Sequence, residues 1–473
     1  MKSFDYKLSS FKEKKIRDKY LLVSFTGKWV SLSLNEYKLF KMGDIDDELF
    51  LKLEKNHIIY TKKSNKDMID FYKNKKQQLF QGTSLHIIIV SLRCNEDCIY
   101  CHAASTNVKT KGVDMSRETA RKVVDFIFQS PSNAITIEFQ GGEPLLNMDA
   151  VKEVIEYAKK KNKIAKKSLR FSLVTNLSLM TDEIFNYLLK EEIYGICTSL
   201  DGPKELHDKN RPMLGKSSYD LAVKWINKIS ENKKMKINAL MSTTKHSLLY
   251  AKEIIDEYRK LGIKTIWFRM LNDLGTAKGN WKNISYSAEE YFEFWKKGIN
   301  YSLKKDDIVE RSSEIFFMKF LNEKDPMYLD LMSPCGAAIG QMAYNHNGEI
   351  FSCDEARMLN DDLFKIGNVY EDTYNKVMSS SKVCNLISSS VNDSYQCNSC
   401  TFQPFCGLCP VCTFGSTKSL VPNLTLDFRC KVLKKQFEFL FEKILFDYSI
   451  DSFDSVTEEK KKSLNLNKRK LEK

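Results

Sequence analysis

Arg93-Cys94-Asn95-Glu96-Asp97-Cys98-Ile99-Tyr100-Cys101 sets three cysteines in a C-x3-C-x2-C spacing. Three thiolates on one short loop can hold three irons of a [4Fe–4S] cube and leave the fourth iron open. An open iron is what a catalytic cluster requires, because a substrate or cofactor has to coordinate it. Zinc is the rival reading, but the spacing is wrong for it and only His102 stands near enough to be a fourth ligand. Further along, Gly141-Gly142-Glu143-Pro144 joins two residues that let a backbone approach a ligand closely with a carboxylate suited to an ammonium group. On its own that segment is a turn.

A second group of cysteines lies between residues 335 and 430. Cys335 and Cys353 flank Gly348, which permits a tight hairpin between two ligands. Cys397, Cys400, Cys406, Cys409 and Cys412 follow at x2, x5, x2 and x2 spacings, and Cys430 comes after seventeen intervening residues. Paired spacing of this kind is a metal knuckle, for iron–sulfur or for structural zinc. Of thirteen cysteines in 473 residues, that leaves Cys197, expected in the core of a strand, and Cys384, which has no evident role.

Strand–helix alternation supplies the elements that position these loops. Apolar runs at 85–92, 134–139, 171–175, 196–200, 237–241 and 265–270 alternate with helical stretches at 117–129, 151–160, 182–190, 219–229 and 248–261. Six repeats predict an α/β fold, a parallel sheet curled into a partial (β/α)6 barrel with its chemistry at the C-terminal strand ends. The first cysteine loop follows the first strand, and Gly-Gly-Glu-Pro follows the second. Asn176, Ser199 and Asp201 end strands three and four, and Arg269 lies near the end of strand six. Capping of the following helices is the plain alternative for Asn176, Ser199 and Asp201.

Residues 1–80 read as a winged-helix-like unit with a helical linker. A hairpin spans 20–32, a short helix with an Asn cap starts at Asn35, a second helix covers 46–54, and a third strand is expected at 58–60. This unit carries 18 Lys/Arg against 11 Asp/Glu, which fits either a solvated surface or attraction for an acidic partner. The barrel domain is expected over 81–320, and a cysteine-rich domain closed by an amphipathic helix over 321–447. A charged tail follows over 448–473. A 42% hydrophobic content excludes a disordered chain. No apolar run approaches the roughly 18 residues of a membrane span, and Met1-Lys2-Ser3-Phe4-Asp5 lacks a signal-peptide core. A cytoplasmic location without a membrane partner is expected, which also favours metal ligation over disulfides. No basic recognition helix stands out, so no nucleic acid is expected.

With these motifs in these places, the chain resembles the radical S-adenosylmethionine (SAM) superfamily, Tyr100 filling the aromatic position of its cysteine motif. The segment after Cys335 resembles the SPASM extension, which carries auxiliary [4Fe–4S] clusters. The resemblance implies that Cys94, Cys98 and Cys101 hold the catalytic cluster and that Gly141, Gly142, Glu143 and Pro144 meet the amino group of SAM. It implies that Asn176, Ser199 and Asp201 face SAM or substrate, with Arg269 as a second catalytic candidate. It implies an outer auxiliary cluster on Cys397, Cys400, Cys406 and Cys430, and an inner one on Cys335, Cys353 and either Cys409 or Cys412. No cysteine precedes Cys335 closely, so the inner cluster has an open iron, a ligand such as Asp330, or is absent.

Closer similarity, in stretches such as Ile137-Glu138-Phe139-Gln140-Gly141-Gly142 and Asp354-Glu355-Ala356-Arg357-Met358-Leu359, is to the His-Xaa-Ser system maturases. The implied function is oxidative formation of a cross-link or thioether in a ribosomally made precursor peptide, bound through its leader by the N-terminal unit, with an external one-electron reductant. The alternatives are a sulfatase-maturing enzyme that oxidises Cys or Ser to formylglycine, a peptide epimerase, and a non-catalytic metal-binding winged-helix regulator.

Overall fold

The computed structural model describes residues 5–447 except 233, 306, 323, 392, 422 and 425. The charged tail expected over 448–473 lies outside the described residues. The N-terminal unit is an antiparallel sheet of β1 (Phe11–Ile16), β2 (Lys19–Ser24) and β3 (Trp29–Leu32), in that order. Helices α1 (Leu34–Met42), α2 (Asp47–Lys55) and α3 (Ser64–Lys75) follow. The unit closes over its own core of Leu22, Val30, Leu32, Leu49, Leu53 and Ile59.

Two details of this unit differ from the sequence reading. Helix α1 is capped by Ser33 and not Asn35: the Ser33 hydroxyl accepts from the Glu36 amide at 3.2 Å, and the Glu36 carboxylate accepts from the Ser33 amide at 2.7 Å. This reciprocal pair satisfies two free amides where Asn35 would satisfy one. The third strand is Phe11–Ile16, whereas Ile59–Tyr60 pairs separately with Lys7–Leu8. Strand β1 looks unlike a strand in sequence because it is an edge strand with charged partners outside its own unit, such as Lys14 with Glu438 at 3.2 Å.

The barrel strands are β4 (Leu85–Ser91), β5 (Ala134–Gly141), β6 (Ser168–Val174), β7 (Gly195–Ser199), β8 (Lys236–Ser242) and β9 (Phe268–Arg269). They lie side by side in chain order, all parallel. Helices α4 (Arg117–Ile127), α5 (Met148–Ala165), α6 (Asp182–Lys190), α7 (Ser218–Asn232) and α8 (Ala251–Lys260) cover the outside. The apolar face of α4, with Ala120, Val123, Val124 and Ile127, is buried in the same core as Ile135, Ile137 and Phe139 of β5. Each of the valines, isoleucines and Phe139 among them contributes about 1.5–3 kcal/mol by leaving water.

Alternation along the strands separates that core from a polar lumen. In β5 the buried Ile135, Ile137 and Phe139 alternate with half-buried Thr136, Glu138 and Gln140. Period-two geometry sends the second set inward, and strand pairing puts Ser172, Cys197, Asn238 and Arg269 on the same face of the sheet. An inward face built of such groups is polar, unlike the apolar interior layers of a closed barrel. Cys197 lies on this face, half-buried, and is not the core residue expected.

The sheet does not stop at the expected boundary near 320. Strand β10 (Gln341–Tyr344) pairs in parallel with β4, and β11 (Glu349–Phe351) and β12 (Lys365–Asn368) continue antiparallel beyond it. The hairpin between β10 and β11 turns through Gly348 at φ +88°, the left-handed conformation that glycine tolerates. Beyond it lie helices α9 (Asp354–Leu359), α10 (Pro410–Thr417) and the closing α11 (Phe428–Phe446). Phe441 of α11 stacks on Phe320 and packs edge-on to Trp29, joining the N-terminal unit to the rest.

Candidate active site

The cysteine loop leaves the end of β4 and is gripped by the next strand. The Gly142 amide donates to the Ser91 carbonyl at 2.9 Å, and the Glu143 amide to the Arg93 carbonyl at 2.7 Å. A Cβ on Gly141 would lie 2.2 Å from the Ser91 oxygen, and one on Gly142 would lie 2.3 Å from the Arg93 oxygen. Only glycines allow this contact, so the Gly-Gly pair locks the base of the loop while its other side faces the cavity. The far side of the loop is covered by 272–280. There the Thr276 amide donates to the Cys101 carbonyl at 2.9 Å, and the Asn272 amide donates to His102 Nε2 at 3.2 Å.

Beneath the loop lies a buried charged network that sequence inspection did not assemble. Arg211 pairs with Glu96 at 2.7 Å and donates to the Tyr100 oxygen at 2.9 Å. The Tyr100 hydroxyl donates to both oxygens of Asp201, at 2.9 and 2.8 Å, and the Ser242 amide donates to Asp201 at 3.3 Å. Asp201 is fully buried, and burial pushes its carboxyl up to about 6 against the pull of Arg211. Arg211 was visible only as one of several polar residues behind strand four. Glu96 carries no sequence signal beyond lying between two of the cysteines.

Above this network opens a cavity of about 710 Å³, counting its mouth. Its wall holds Cys94, Cys98, Cys101, Tyr100, Gly141 and Gly142. Asn176, Ser199 and Arg211 also face it. Four expected site residues do not line it. Glu143 is fully buried and accepts from the Leu145 amide at 3.0 Å, the Thr175 hydroxyl at 2.7 Å and the Asn176 amide at 2.8 Å. Its carboxylate therefore anchors the Asn176 turn and does not face the cavity, and burial raises it to about 7. Pro144 starts the short helix below it and is buried. Asp201 lies under the loop, taken up by the Tyr100 hydroxyl. Arg269 lies further along the lumen, paired with Glu355 at 3.4 Å and over the Trp267 ring at 5.4 Å.

The donor set fits a cube. Cys94, Cys98 and Cys101 of one loop line the same cavity, and a cube takes its thiolates at separate corners. Burial holds the Cys94 thiol up to about 12 and the Cys98 thiol well above its ordinary value. Such sites carry neutral thiols until iron displaces the protons. Arg211 is the buried cation placed to offset thiolate charge there.

A second cavity brings Cys397, Cys400, Cys406 and Cys430 together behind an apolar wall that includes Phe402 and Phe437. This is the expected outer set. Lys434 lines it, and Lys12 of β1 reaches its edge by donating to Gln403. Cys335 and Cys353 are buried nearer the lumen, with Cys409 the neighbouring thiol that acts on both. Asp330 accepts from the Gln341 side chain at 3.2 Å. Cys384 is exposed on the helix Ser381–Ser389 and joins neither set. Arg357 of α9 links the two ends: it donates to the Ala103 carbonyl beside Cys101 at 3.1 Å and to Asp354 at 3.1 Å.

Residues 88–277 match the radical SAM superfamily, and residues 335–401 match the SPASM iron–sulfur cluster-binding domain. The cysteine-type anaerobic sulfatase-maturating enzyme of Clostridium perfringens is 26% identical over 375 residues, spanning 76% of this chain and 97% of its own. The solved structure of native anSMEcpe with bound AdoMet superposes with a TM-score of 0.66 at 22% identity, covering 77% of this chain and 98% of that one. Streptococcus suis SuiB bound to the precursor peptide SuiA superposes at 0.54 with 16% identity, over 88% of this chain and 98% of that one.

Proposed function

For a chain that carries a radical SAM domain followed by a SPASM iron–sulfur domain, we propose the function of a peptide-modifying oxidoreductase that forms a cross-link or thioether in a ribosomally made precursor. The observation that supports this reading best is the lumen. Ser199 lines the Cys94/Cys98/Cys101 cavity, and half-buried Cys197 and Glu138 share the inward face of the sheet with Arg269, which pairs with Glu355 on the side of the inner cysteines. One substrate segment can thus stand between two electron-handling sites.

Cys94, Cys98 and Cys101 would hold the catalytic cluster, with Gly141, Gly142, Asn176 and Ser199 around SAM. When bound, this pair supplies a carbon-centred radical able to abstract hydrogen from an unactivated carbon. The protein's own share is positioning and exclusion of water. The Arg211–Tyr100–Asp201 network keeps the loop in one conformation. Glu143 holds the Asn176 turn. Arg269, with its side chain 34% exposed, would offer a guanidinium to a substrate carbonyl or carboxylate. Cysteines of the auxiliary sites would hold clusters that take the electron left on the substrate, and an external reductant must supply the first one.

The N-terminal unit would take the leader as an added strand on β3. Strand β3 pairs only with β2 within its sheet, while β1 leans on the cysteine knuckle, where the Thr401 hydroxyl donates to the Glu13 carbonyl at 3.0 Å. SuiB, a structural neighbour that also spans this region, is solved with its precursor peptide. No helix among the described residues is long and apolar enough to cross a membrane. A cytoplasmic location belongs to the same reading.

The similarity to the sulfatase-maturating enzyme favours a second reading, oxidation of Cys or Ser to an aldehyde in a sulfatase. Incubation without oxygen with SAM, a reductant and candidate peptides separates the two. Release of 5′-deoxyadenosine with loss of two hydrogens from the peptide supports cross-linking. An aldehyde product supports the second reading. Unchanged mass with deuterium gained from solvent supports epimerisation, and no 5′-deoxyadenosine from any substrate leaves the regulator.

A further inference from the structure

Nine cysteines lie between residues 335 and 430. Four line the outer cavity, and exposed Cys384 joins neither set. That leaves Cys335, Cys353, Cys409 and Cys412, and the fold gathers them. Gly407 is pressed onto the 331–332 backbone, where a Cβ would meet the Leu331 carbonyl carbon at 2.4 Å. This contact lays the 407–412 segment beside the one that carries Cys335. Helices α9 and α10 meet side by side, with Leu359 3.7 Å from the Cβ position of Gly415.

The two helices present their N-termini in the same way. Cys353 caps α9, its sulfur accepting from the Ala356 amide at 3.4 Å. Cys409 caps α10, its sulfur accepting from the Cys412 amide at 3.5 Å. This one-turn spacing sets Cys412 directly over Cys409, its amide 3.5 Å from the Cys409 sulfur. Arg429 stands beside both. A C-x2-C pair opening a turn is also how Cys397 and Cys400 enter the outer cavity.

We propose that Cys409 and Cys412 both ligate the inner auxiliary cluster, completing a four-thiolate set with Cys335 and Cys353. The proposal rests on the radical SAM and SPASM reading above. The pair would replace the missing upstream cysteine, leave Asp330 outside the cluster, and make the inner cluster an electron port without an iron open to substrate. Helix N-terminal amides and Arg429 offset the charge of the set.

Controlled ferricyanide oxidation of the anaerobically reconstituted chain tests this without turnover. A cube held by three thiolates gives up its unligated iron to leave a paramagnetic [3Fe–4S] cluster, and one held by four resists. The wild type is expected to contain about twelve irons and to give roughly one such spin per chain, from the Cys94/Cys98/Cys101 cluster. Cys412→Ala is expected either to double that signal or to lose about four irons, while Cys384→Ala changes neither. Two spins in the wild type, or an iron content and signal untouched by Cys412→Ala, overturn the proposal. A wild type with only about eight irons means instead that an auxiliary cluster is missing, so the underlying reading fails on a separate measurement.

Discussion

The hydroxyl of Tyr100 donates to both carboxylate oxygens of Asp201, at 2.9 and 2.8 Å, from a residue next to the last cysteine of the loop. Arg211 completes the arrangement through Glu96 and Tyr100. The end of the fourth barrel strand thereby sets the shape of a loop that leaves the first.

Asp201→Ala leaves the Tyr100 hydroxyl without its buried acceptor and removes a buried negative charge that offsets Arg211. Removing one member of such a set costs about 3–5 kcal/mol. The expected outcome is a lower melting temperature together with loss of about four irons. Asp201→Asn keeps the volume and one acceptor oxygen, so it is expected to retain the iron. Retention of full iron and stability by the alanine variant would contradict the positioning role.

Gly142→Ala forces a methyl group against the Arg93 carbonyl, 2.3 Å from the Cβ position. It is expected to weaken SAM binding at least tenfold and to remove 5′-deoxyadenosine formation. The outer and inner cysteines lie far along the chain, so about eight irons remain. Equilibrium dialysis with labelled SAM, read beside the iron content, checks both halves.

Lys12 brings an ammonium group from the N-terminal unit to the edge of the outer cysteine cavity, near Cys397 and Cys400. A positive charge there stabilises the more negative, reduced form of a cluster. Lys12→Gln is expected to shift the outer cluster to a more negative potential in an anaerobic redox titration while leaving its iron in place. An unchanged potential would remove the electrostatic link between the N-terminal unit and this cluster.

His86 is fully buried, its Nε2–H donating to the Thr83 carbonyl at 3.2 Å and its Nδ1 accepting from the Tyr344 hydroxyl at 2.8 Å. Burial lowers its pKa from 6.5 to about 3. Between those values the unfolded chain binds a proton that the native chain does not, so His86 makes stability fall as pH drops from about 6.5 toward about 3. His86→Gln, which stays neutral, is expected to flatten that part of the stability curve. Melts of the apoprotein at stepped pH, compared between the two chains, measure the difference in slope.

Local pattern made much of this protein readable. Cysteines within a few residues of one another share a loop whatever the rest of the fold does, so the grouping of Cys94, Cys98 and Cys101 was evident from spacing. Apolar runs separated by amphipathic stretches are enough to order six parallel strands, because each outward face needs a helix over it. Other features depend on which distant segments meet. Glu143 is a plausible ligand for an ammonium group in sequence. Only packing shows its carboxylate taken up by the Leu145 and Asn176 amides and the Thr175 hydroxyl. Glu96 and Arg211 are 115 residues apart and become a pair only when strands one and four lie in the same barrel. Charged strand β1 finds its place through partners on the closing helix. Cys409 and Cys412 compete on paper because spacing alone cannot say that both thiols turn the same way. In the tertiary structure the first turn of α10 holds both, the Cys412 amide bonded to the Cys409 sulfur, beside the segment that carries Cys335.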